Sequence, residues 1–378
     1  MPGTAFITGL TGQDGSFVAE LLLADGWRVV AAVRDPRRLG QAAHLAPSVE
    51  LVYADLRERG SLAAALVGAA PQRVFHLAAP SSVPDSWQRP AEYFDAIAGS
   101  CAEILQTAAA ELPEARVVVA SSAAMFGDDA PSPQGEETPM RPASPYAAAK
   151  LAAHNMVGAM RAGRGLHASS AILFNHESPR RSQGAVSRRI ARAAAGASLG
   201  RAPELELDSL GAVRDWSHAR DIARGLTLIA AAERPADYVL ARGEGHSVDE
   251  FARAAFAAAD LDWDEYAPEQ RSAEPGGRAA ERVGDPRRAR RELRWEPSVS
   301  FDELVDELVR FELVLAQDLG ERAGRGDERA EIRFAVRGQR RRDADEHGFH
   351  LGERRVGARR RQALRDGRQP ICGDVLDV

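Results

Sequence analysis

In TGLTGQDG, residues 8–15, glycines recur at Gly9, Gly12 and Gly15, between a short apolar run and a helical pattern. The run Thr4 to Thr8 reads as a strand, and Ser16 to Ala24 carries apolar residues at helical spacing before Gly26 closes it. Glycines in a strand–turn–helix let the backbone bend sharply and approach a pyrophosphate, whose charge the helix N-terminus meets. A dinucleotide site is therefore expected here. Outward from the turn, strands are predicted at Trp27–Val33, Glu50–Ala54, Arg73–Ala78 and Val117–Ser121, with a helix at Ser61–Val67. Strands alternating with helices predict an α/β fold, a doubly wound parallel Rossmann sheet. The alternation breaks after about Gly165, where HASSAILF, APELELD and DYVLARG alternate with arginine-rich helices. A smaller C-terminal substrate-binding region, interleaved with the last sheet strands, accounts for that. The expected boundaries are 1–168 for the dinucleotide-binding domain and 169–318 for the substrate-binding region.

From Leu319 to the end, Arg, Gly, Asp, Glu and Ala dominate, and apolar periodicity is lost. Such a composition buries too little surface to offset ordering entropy, so 319–378 reads as a disordered or non-native extension. Acidic residues interrupt its arginines, which argues against a nucleic-acid arm. The whole chain has a net charge of −6 and a pI near 5.9, which disfavours nucleic acid or an anionic membrane as partner. Two cysteines, Cys101 and Cys372, are too distant in sequence to form a metal knuckle, and no metal is expected. With no leader-like N-terminus and no long apolar run, the chain reads as soluble and cytoplasmic.

The end of the second strand bears on which dinucleotide binds. An acid there accepts ribose hydroxyls, whereas an arginine accepts a 2′-phosphate. Arg34 stands at that end with Arg37 and Arg38 close behind, which favours NADP; Asp35 adjoins them and keeps NAD as the alternative.

Among 49 Lys and Arg side chains the single lysine is Lys150, four residues after Tyr146 in SPYAAAKLAAH. On a helix that spacing puts both side chains on one face. A phenol that removes a hydroxyl proton near neutral pH needs a cation beside it to favour the phenolate. Lysine, a compact ammonium, fits beside a phenol and a ribose where a planar guanidinium is too wide. Ser121 and Ser122, ending the strand VVVASS, supply a hydroxyl to orient a substrate oxygen.

These stretches, with ILFNHESPRR, RDWSHARD, HSVDEFA and GDP…LRWEPSVSFDELV, resemble the extended short-chain dehydrogenase/reductases, and within them the GDP-mannose 4,6-dehydratases. The likeness runs from about Thr4 to Leu315. It implies an NADP-dependent lyase of deoxysugar biosynthesis. Oxidation at C4 of GDP-mannose makes the C5 proton acidic, water leaves from C6, and the hydride returns to C6. The resemblance assigns Tyr146 as base, Lys150 as its partner and Ser122 as the orienting hydroxyl. It places Gly9, Gly12, Gln13, Asp14, Gly15, Arg34, Asp55, Leu56, Leu77, Ala78, Tyr146 and Lys150 on the cofactor. Ser86, Asn175, Glu177, Arg180, Arg188 and Arg214 fall on nucleotide-sugar positions, where arginine forks suit a diphosphate.

The departures are on the reacting side. The family glutamate that takes the C5 proton is Ala124 here, in SSAAMFG, and alanine cannot act as a base. NLAAQSHV has become HLAAPSSV, losing an amide and an imidazole at Pro80 and Ser82, and an Arg-Pro-x-Glu-Val clamp is eroded to EPGGRAAERV. Three readings follow. One is a dehydratase in which Glu136, Asp128 or Asp85 replaces the missing base. Another is a nucleotide-sugar 4-ketoreductase or epimerase, which needs no base at 124. The third is a catalytically weak nucleotide-sugar-binding partner subunit. Because the helices expected at Ala91–Glu111 and Tyr146–Met160 form intersubunit bundles in the family, the resemblance also implies a homodimer, with a homotetramer left open.

Overall fold

The computed structural model describes residues 3–202, 205–207, 209–267 and 281–324, with side chains as far as 318. The chain divides into two compact units, 1–313 and 314–378. It opens with β1 (Thr4–Thr8), α1 (Gln13–Ala24), β2 (Arg28–Val33), β3 (Glu50–Tyr53), α2 (Ser61–Ala69) and β4 (Arg73–His76). Next come α3 (Val83–Gln88), α4 (Pro90–Phe94), α5 (Ser100–Glu111), β5 (Arg116–Ser122), α6 (Pro145–Arg164), β6 (Ala168–Leu173) and β7 (Asn175–Glu177). The remainder is α7 (Val186–Ser198), β8 (Val213–His218), α8 (Ala219–Ala231), β9 (Tyr238–Leu240), β10 (Gly245–Ser247), α9 (Val248–Ala257), β11 (Glu281–Arg282) and α10 (Phe301–Gly324).

Seven strands form one parallel sheet in the order β3-β2-β1-β4-β5-β6-β9. Parallel neighbours need crossovers, and the helices that make them cover both faces, so the strands are apolar on both sides. Alternation along β1 divides the core. Ala5 and Ile7 join Val18 and Leu22 of α1 and Ile222 and Leu226 of α8 on one face. Phe6 joins Leu62 and Leu66 of α2, Ile104 of α5 and Ala149 and Ala153 of α6 on the other. A smaller sheet orders β10-β8-β11, with β7 beside the C-terminal half of β8. Its core joins Ile190 and Ala194 of α7, Trp216, Phe251 and Phe256 of α9, and Leu304 and Leu308 of α10.

The doubly wound sheet expected from the sequence is present, with boundaries displaced by a few residues. Helix α1 starts at Gln13 instead of Ser16, because Gly12 in extended conformation already serves as its N-cap. A π-turn over Asp95–Gly99 separates α4 from α5, where one helix over Ala91–Glu111 is expected. A cut at 168/169 falls inside β6, and α8 and β9, further along the chain, also return to the large sheet. Residues 319–324, assigned by composition to the extension, continue α10, while 325–378 lie outside the described residues. The short apolar run APELELD forms no strand in its described part.

The order reverses between β1 and β4, which opens a crevice at their C-terminal ends. Gly9 has φ +85°, and a Cβ there would lie 2.8 Å from the Ala78 nitrogen. A Cβ on Gly15 would lie 2.2 Å from the Gly9 carbonyl oxygen. The missing side chain at Gly15 lets α1 approach the turn, and the missing one at Gly9 lets the turn approach the end of β4. Gly15→Ala is expected to destabilise the protein by roughly 1–3 kcal/mol through overpacking. Gly68→Ala, in α2 with nothing within 4 Å of the added carbon, should stabilise it by about 0.5–1 kcal/mol. Urea unfolding of the two variants reads the contrast, and equal effects would remove the packing argument.

Candidate active site

Helix α6 begins where Ser144 accepts a hydrogen bond from the Ala147 nitrogen (3.2 Å) and Pro145 takes the first helical position. That start sets the phase of the helix. Tyr146 is half-buried in the first turn, and Lys150, one turn later, is buried with Nζ donating to the Ala120 carbonyl at 2.7 Å. Ala120 lies on β5, two residues before Ser122. The lysine thus joins α6 to the strand end that carries both serines. An arginine in this position would bring a fork of five donors into a place where one carbonyl accepts. Ser122 Oγ accepts from the Ala124 nitrogen (3.2 Å), and Ser121 Oγ is buried without a partner among the described residues.

Beside this centre the ends of β1 and β4 are tied together. Thr8 Oγ1 accepts from the Leu77 and Ala78 nitrogens, both at 3.1 Å, so its proton is directed to His76 Nδ1 at 3.0 Å. His76 Nε2 then donates to Ser100 Oγ, 3.1 Å away, whose own proton goes to the Ala96 carbonyl. Burial, with repulsion from Lys150 added, pushes the His76 pKa down to about 3, so it serves as a neutral relay. Leu77 and Ala78 are thereby held close to Gly9.

The first turn of α1 holds the segment that follows β6. Gln13 Nε2 donates to the His176 carbonyl (3.1 Å), Ser178 Oγ donates to Gln13 Oε1 (2.7 Å), and His176 Nε2 lies 2.9 Å from Asp14 Oδ1. Burial disfavours the charged forms of Asp14 and His176. Their mutual attraction and hydrogen bond outweigh it, lowering the Asp14 pKa and raising that of His176. Arg181 is held charged foremost by Glu177, against burial, with further attraction from Asp14 and Tyr146. Glu177 is buried and also accepts from Ser187 Oγ at 2.7 Å. His176 and Arg181 were not singled out by sequence reasoning. Their only signal was a place within ILFNHESPRR.

The remaining expected residues divide. Asp55 accepts from the Arg57 backbone nitrogen (3.0 Å) and guanidinium (2.9 Å), and Asp35 is clasped by Arg37 in the same manner. Arg34 is exposed at the end of β2. Leu56 packs on the core below α2 and borders a cavity of about 480 Å³ lined by Arg57, Arg59, Asp95, Glu103 and Gln106, away from Tyr146 and Lys150. Ser86 is fully buried and donates to the Val83 carbonyl (2.6 Å). Asn175 pairs with Trp216 on β8, and Arg214 lies half-buried on that strand. Arg180 turns to α1, donating to Ser16 Oγ (3.0 Å) and Glu20 (2.6 Å) over the Phe17 ring. Arg188 is buried against Glu312 at 2.6 Å. Neither Arg180 nor Arg188 is brought to the Ser122, Tyr146 and Lys150 cluster by these contacts.

The carboxylates considered as replacements at Ala124 are engaged elsewhere. Glu136 accepts from the Val239 nitrogen (2.9 Å) on edge strand β9, two strands from β5. Adjacent strands lie roughly 4.8 Å apart, so that bond anchors the carboxylate about 10 Å from β5. Asp128 pairs with Arg282, and Asp85 is exposed with Arg89 3.6 Å away. Among the described residues no group of His, Cys, Asp and Glu forms a metal site.

The linkage signs of the Asp14–His176 pair are opposite. The Asp14 contribution is complete above its ordinary 3.8 and is lost as pH falls through its lowered value. The His176 contribution is complete below 6.5 and is lost as pH rises through its raised value. The stability difference between wild type and His176→Asn should therefore be largest between about pH 4 and 6.5 and shrink at alkaline pH. Urea titrations across pH measure it, and a difference independent of pH would contradict the pairing.

A model of the family described as GDP-mannose 4,6 dehydratase matches residues 6–308. GDP-mannose 4,6 dehydratase 2 of Arabidopsis thaliana is 37% identical over 333 residues, covering 83% of this chain and 87% of the relative. GDP-mannose 4,6 dehydratase of Homo sapiens is 34% identical over 346 residues, covering 82% and 91%. Among solved structures, UDP-glucose 4-epimerase of Thermotoga maritima aligns with TM-score 0.71 at 20% identity over 82% of this chain and 98% of its own, a likeness of fold. DesIV of Streptomyces venezuelae, a dTDP-glucose 4,6-dehydratase with NAD and TYD bound, is 25% identical and covers 82% of this chain and 96% of its own.

Proposed function

The chain belongs to the GDP-mannose 4,6 dehydratase family, and on that premise we propose that it removes water from GDP-mannose with a recycled NADP. The observation that carries this reading is the buried Lys150, bonded to β5 at 2.7 Å, one helical turn from Tyr146 and beside the strand end of Ser122. A dinucleotide suits the turn because α1 starts after Gly12 without a side-chain cap, leaving its first N–H groups for an anion. Arg34, Arg37 and Arg38 gather at the end of β2, while Asp35 already accepts from Arg37 and is held below its ordinary pKa by that bond. That balance favours a 2′-phosphate over ribose hydroxyls. The glycine turn of residues 9–15 and Lys150 would hold such a cofactor, which would supply reversible hydride transfer, from C4 and back to C6.

The residues of the chain do the proton work. Tyr146 removes the C4 hydroxyl proton, the Lys150 ammonium favours the phenolate and holds the ribose, and Ser122 orients the C4 oxygen. With a ketone at C4, the C5 proton becomes acidic and the C6 hydroxyl leaves as water. Ala124 offers no acceptor for the C5 proton. Because Asp128 and Glu136 are held by other partners and Asp85 lies exposed beside Arg89, a second reading stands beside the first: reduction or epimerisation at C4, which needs no base at 124.

Incubation with GDP-mannose and NADP, followed by mass spectrometry of the nucleotide sugar, separates the two readings. Dehydration predicts loss of one water, slowed by about 10²-fold or more in Tyr146→Phe. Ala124→Glu should accelerate it by about 10²-fold as the base is restored. GDP-mannose that binds without losing water would sink the dehydratase reading and favour the ketoreductase or epimerase.

We also infer a homodimer in the cytoplasm. Trp87, Phe94 and Met156 are 63%, 49% and 40% exposed on α3, α4 and α6, helices that pack on one another. Large apolar side chains gathered on one helical layer mark an association surface. No helix of the described residues is long and apolar enough to cross a membrane, and Cys101 is a buried free thiol. Light scattering at micromolar concentration should give twice the chain mass, and Trp87→Glu with Phe94→Glu should halve it. A monodisperse wild-type monomer would falsify the dimer.

A further inference from the structure

Ser100 is the first residue of α5 and lies at the far end of the relay that starts from Thr8. The π-turn before it breaks the helical ladder. The Ser100 nitrogen donates to the Asp95 carbonyl, five residues back, and to that of Ile97. In an α-helix that nitrogen would go to the Ala96 carbonyl, four residues back. Here the Ala96 carbonyl takes the hydroxyl proton of Ser100, with Oγ 2.7 Å away, a back-bond of the kind that bends helices. Single π-turns within helices are frequent at functional sites.

A hydroxyl has one proton and two lone pairs. With its proton given to Ala96, Ser100 can only accept from His76, 3.1 Å away, which fixes the ring proton on Nε2. Nδ1 is then a bare acceptor, and Thr8 donates to it at 3.0 Å. Both lone pairs of Thr8 are left for the Leu77 and Ala78 nitrogens. Thr8, His76 and Ser100 are all nearly inaccessible, so bulk water offers them no other partner, and burial with repulsion from Lys150 keeps the imidazole neutral. Reversing the ring reverses the chain. With the proton on Nδ1, His76 would donate to Thr8 and occupy one of those lone pairs. Leu77 N has a second acceptor in the Thr8 carbonyl at 3.3 Å, so the Ala78 nitrogen is the group that relies on the hydroxyl. That nitrogen is also the atom that would lie 2.8 Å from a Cβ on Gly9.

We propose that Ser100 is a positioning residue for the dinucleotide: the π-turn presents its hydroxyl to His76 as an acceptor only, and the tautomer so fixed holds the Leu77–Ala78 turn beside the glycine turn of residues 9–15. The inference rests on the dinucleotide reading above and adds to it a residue that acts through His76 and Thr8, with no contact to the cofactor required.

Imidazole nitrogen NMR, with the His76 signals identified by their loss in His76→Gln, and fluorescence titration with NADPH test it; calorimetric titration with GDP is the control. Wild type should show a neutral His76 ring protonated at Nε2 at neutral pH. Ser100→Ala should move the proton toward Nδ1 and weaken NADPH about tenfold, while GDP binds as in wild type. Ser100→Thr, which keeps the hydroxyl, should restore both. Thr8→Val should weaken NADPH at least as much as Ser100→Ala, and Thr8→Ser should not. A wild-type ring protonated at Nδ1, or at both nitrogens, overturns the relay whatever the variants bind, and this readout stands if Ser100→Ala does not fold. Unchanged NADPH affinity in a folded Ser100→Ala overturns the positioning role, and so does an equal loss of NADPH and GDP affinity, which marks a general loosening. A wild type that binds NADH and ignores NADPH overturns the 2′-phosphate reading and leaves the Ser100 test readable with NADH. If it binds neither, the dinucleotide reading and the role of Ser100 both fall.

Discussion

The contact between Gly9 and Gly15 is the constraint on which most of this architecture hangs. With a Cβ at position 15 only 2.2 Å from the Gly9 carbonyl oxygen, α1 could not reach its present place. From there its first turn does two things at once. It begins at a crevice whose β1 and β4 edges are tied together by the Thr8–His76–Ser100 relay, and its Gln13 and Asp14 reach across to His176 and Ser178. Arg180 reaches α1 one turn further on, through Ser16 and Glu20. The segment that follows β6 is therefore fastened to α1 by side chains that a shift in α1 would pull apart.

Charge is used sparingly at the centre and heavily around it. One buried lysine serves β5, while arginines bind the surrounding parts together. The pair Arg188–Glu312, both nearly inaccessible, ties α7 to α10, and losing one partner of such a pair costs about 3–5 kcal/mol. Arg161 fastens α6 to Asp237 through two bonds, 3.0 and 2.8 Å, ahead of β9. The Asp-x-Arg steps at Asp35, Asp55 and Asp285 each close a carboxylate on the arginine two residues later. These clasps absorb acids and arginines that a composition count would leave available for ligands. Arg181 is held charged foremost by Glu177, with further attraction from Asp14 and Tyr146.

Strand and helix positions were largely legible because they depend on neighbours in sequence. Thr4–Thr8 as a strand, a helix ending at Ala24 and the Ser-Pro start of α6 follow from apolar spacing, caps and turn residues, which are local chemistry. The π-turn at Asp95–Gly99 was not legible, since a single glycine, Gly99, is tolerated inside a helical pattern and does not by itself announce a change of register. Nor was the helical state of 319–324, where leucine, glutamate, arginine and alanine continue a helix already formed upstream.

By itself the sequence determined the doubly wound class, the glycine crevice and the Tyr146–Lys150 pairing on one helix face, because each is a matter of spacing along a single element. Only the tertiary structure decided which charged side chains serve the fold. Asp14 meets His176 from 162 residues away, Arg188 meets Glu312 from 124 and Asp128 meets Arg282 from 154. Coulomb attraction and hydrogen bonding act through space and depend on burial, so a sequence pattern cannot rank one arginine of this arginine-rich chain above another. For the same reason Glu136, one of three carboxylates offered in place of the missing base, turns out to accept from the backbone of edge strand β9.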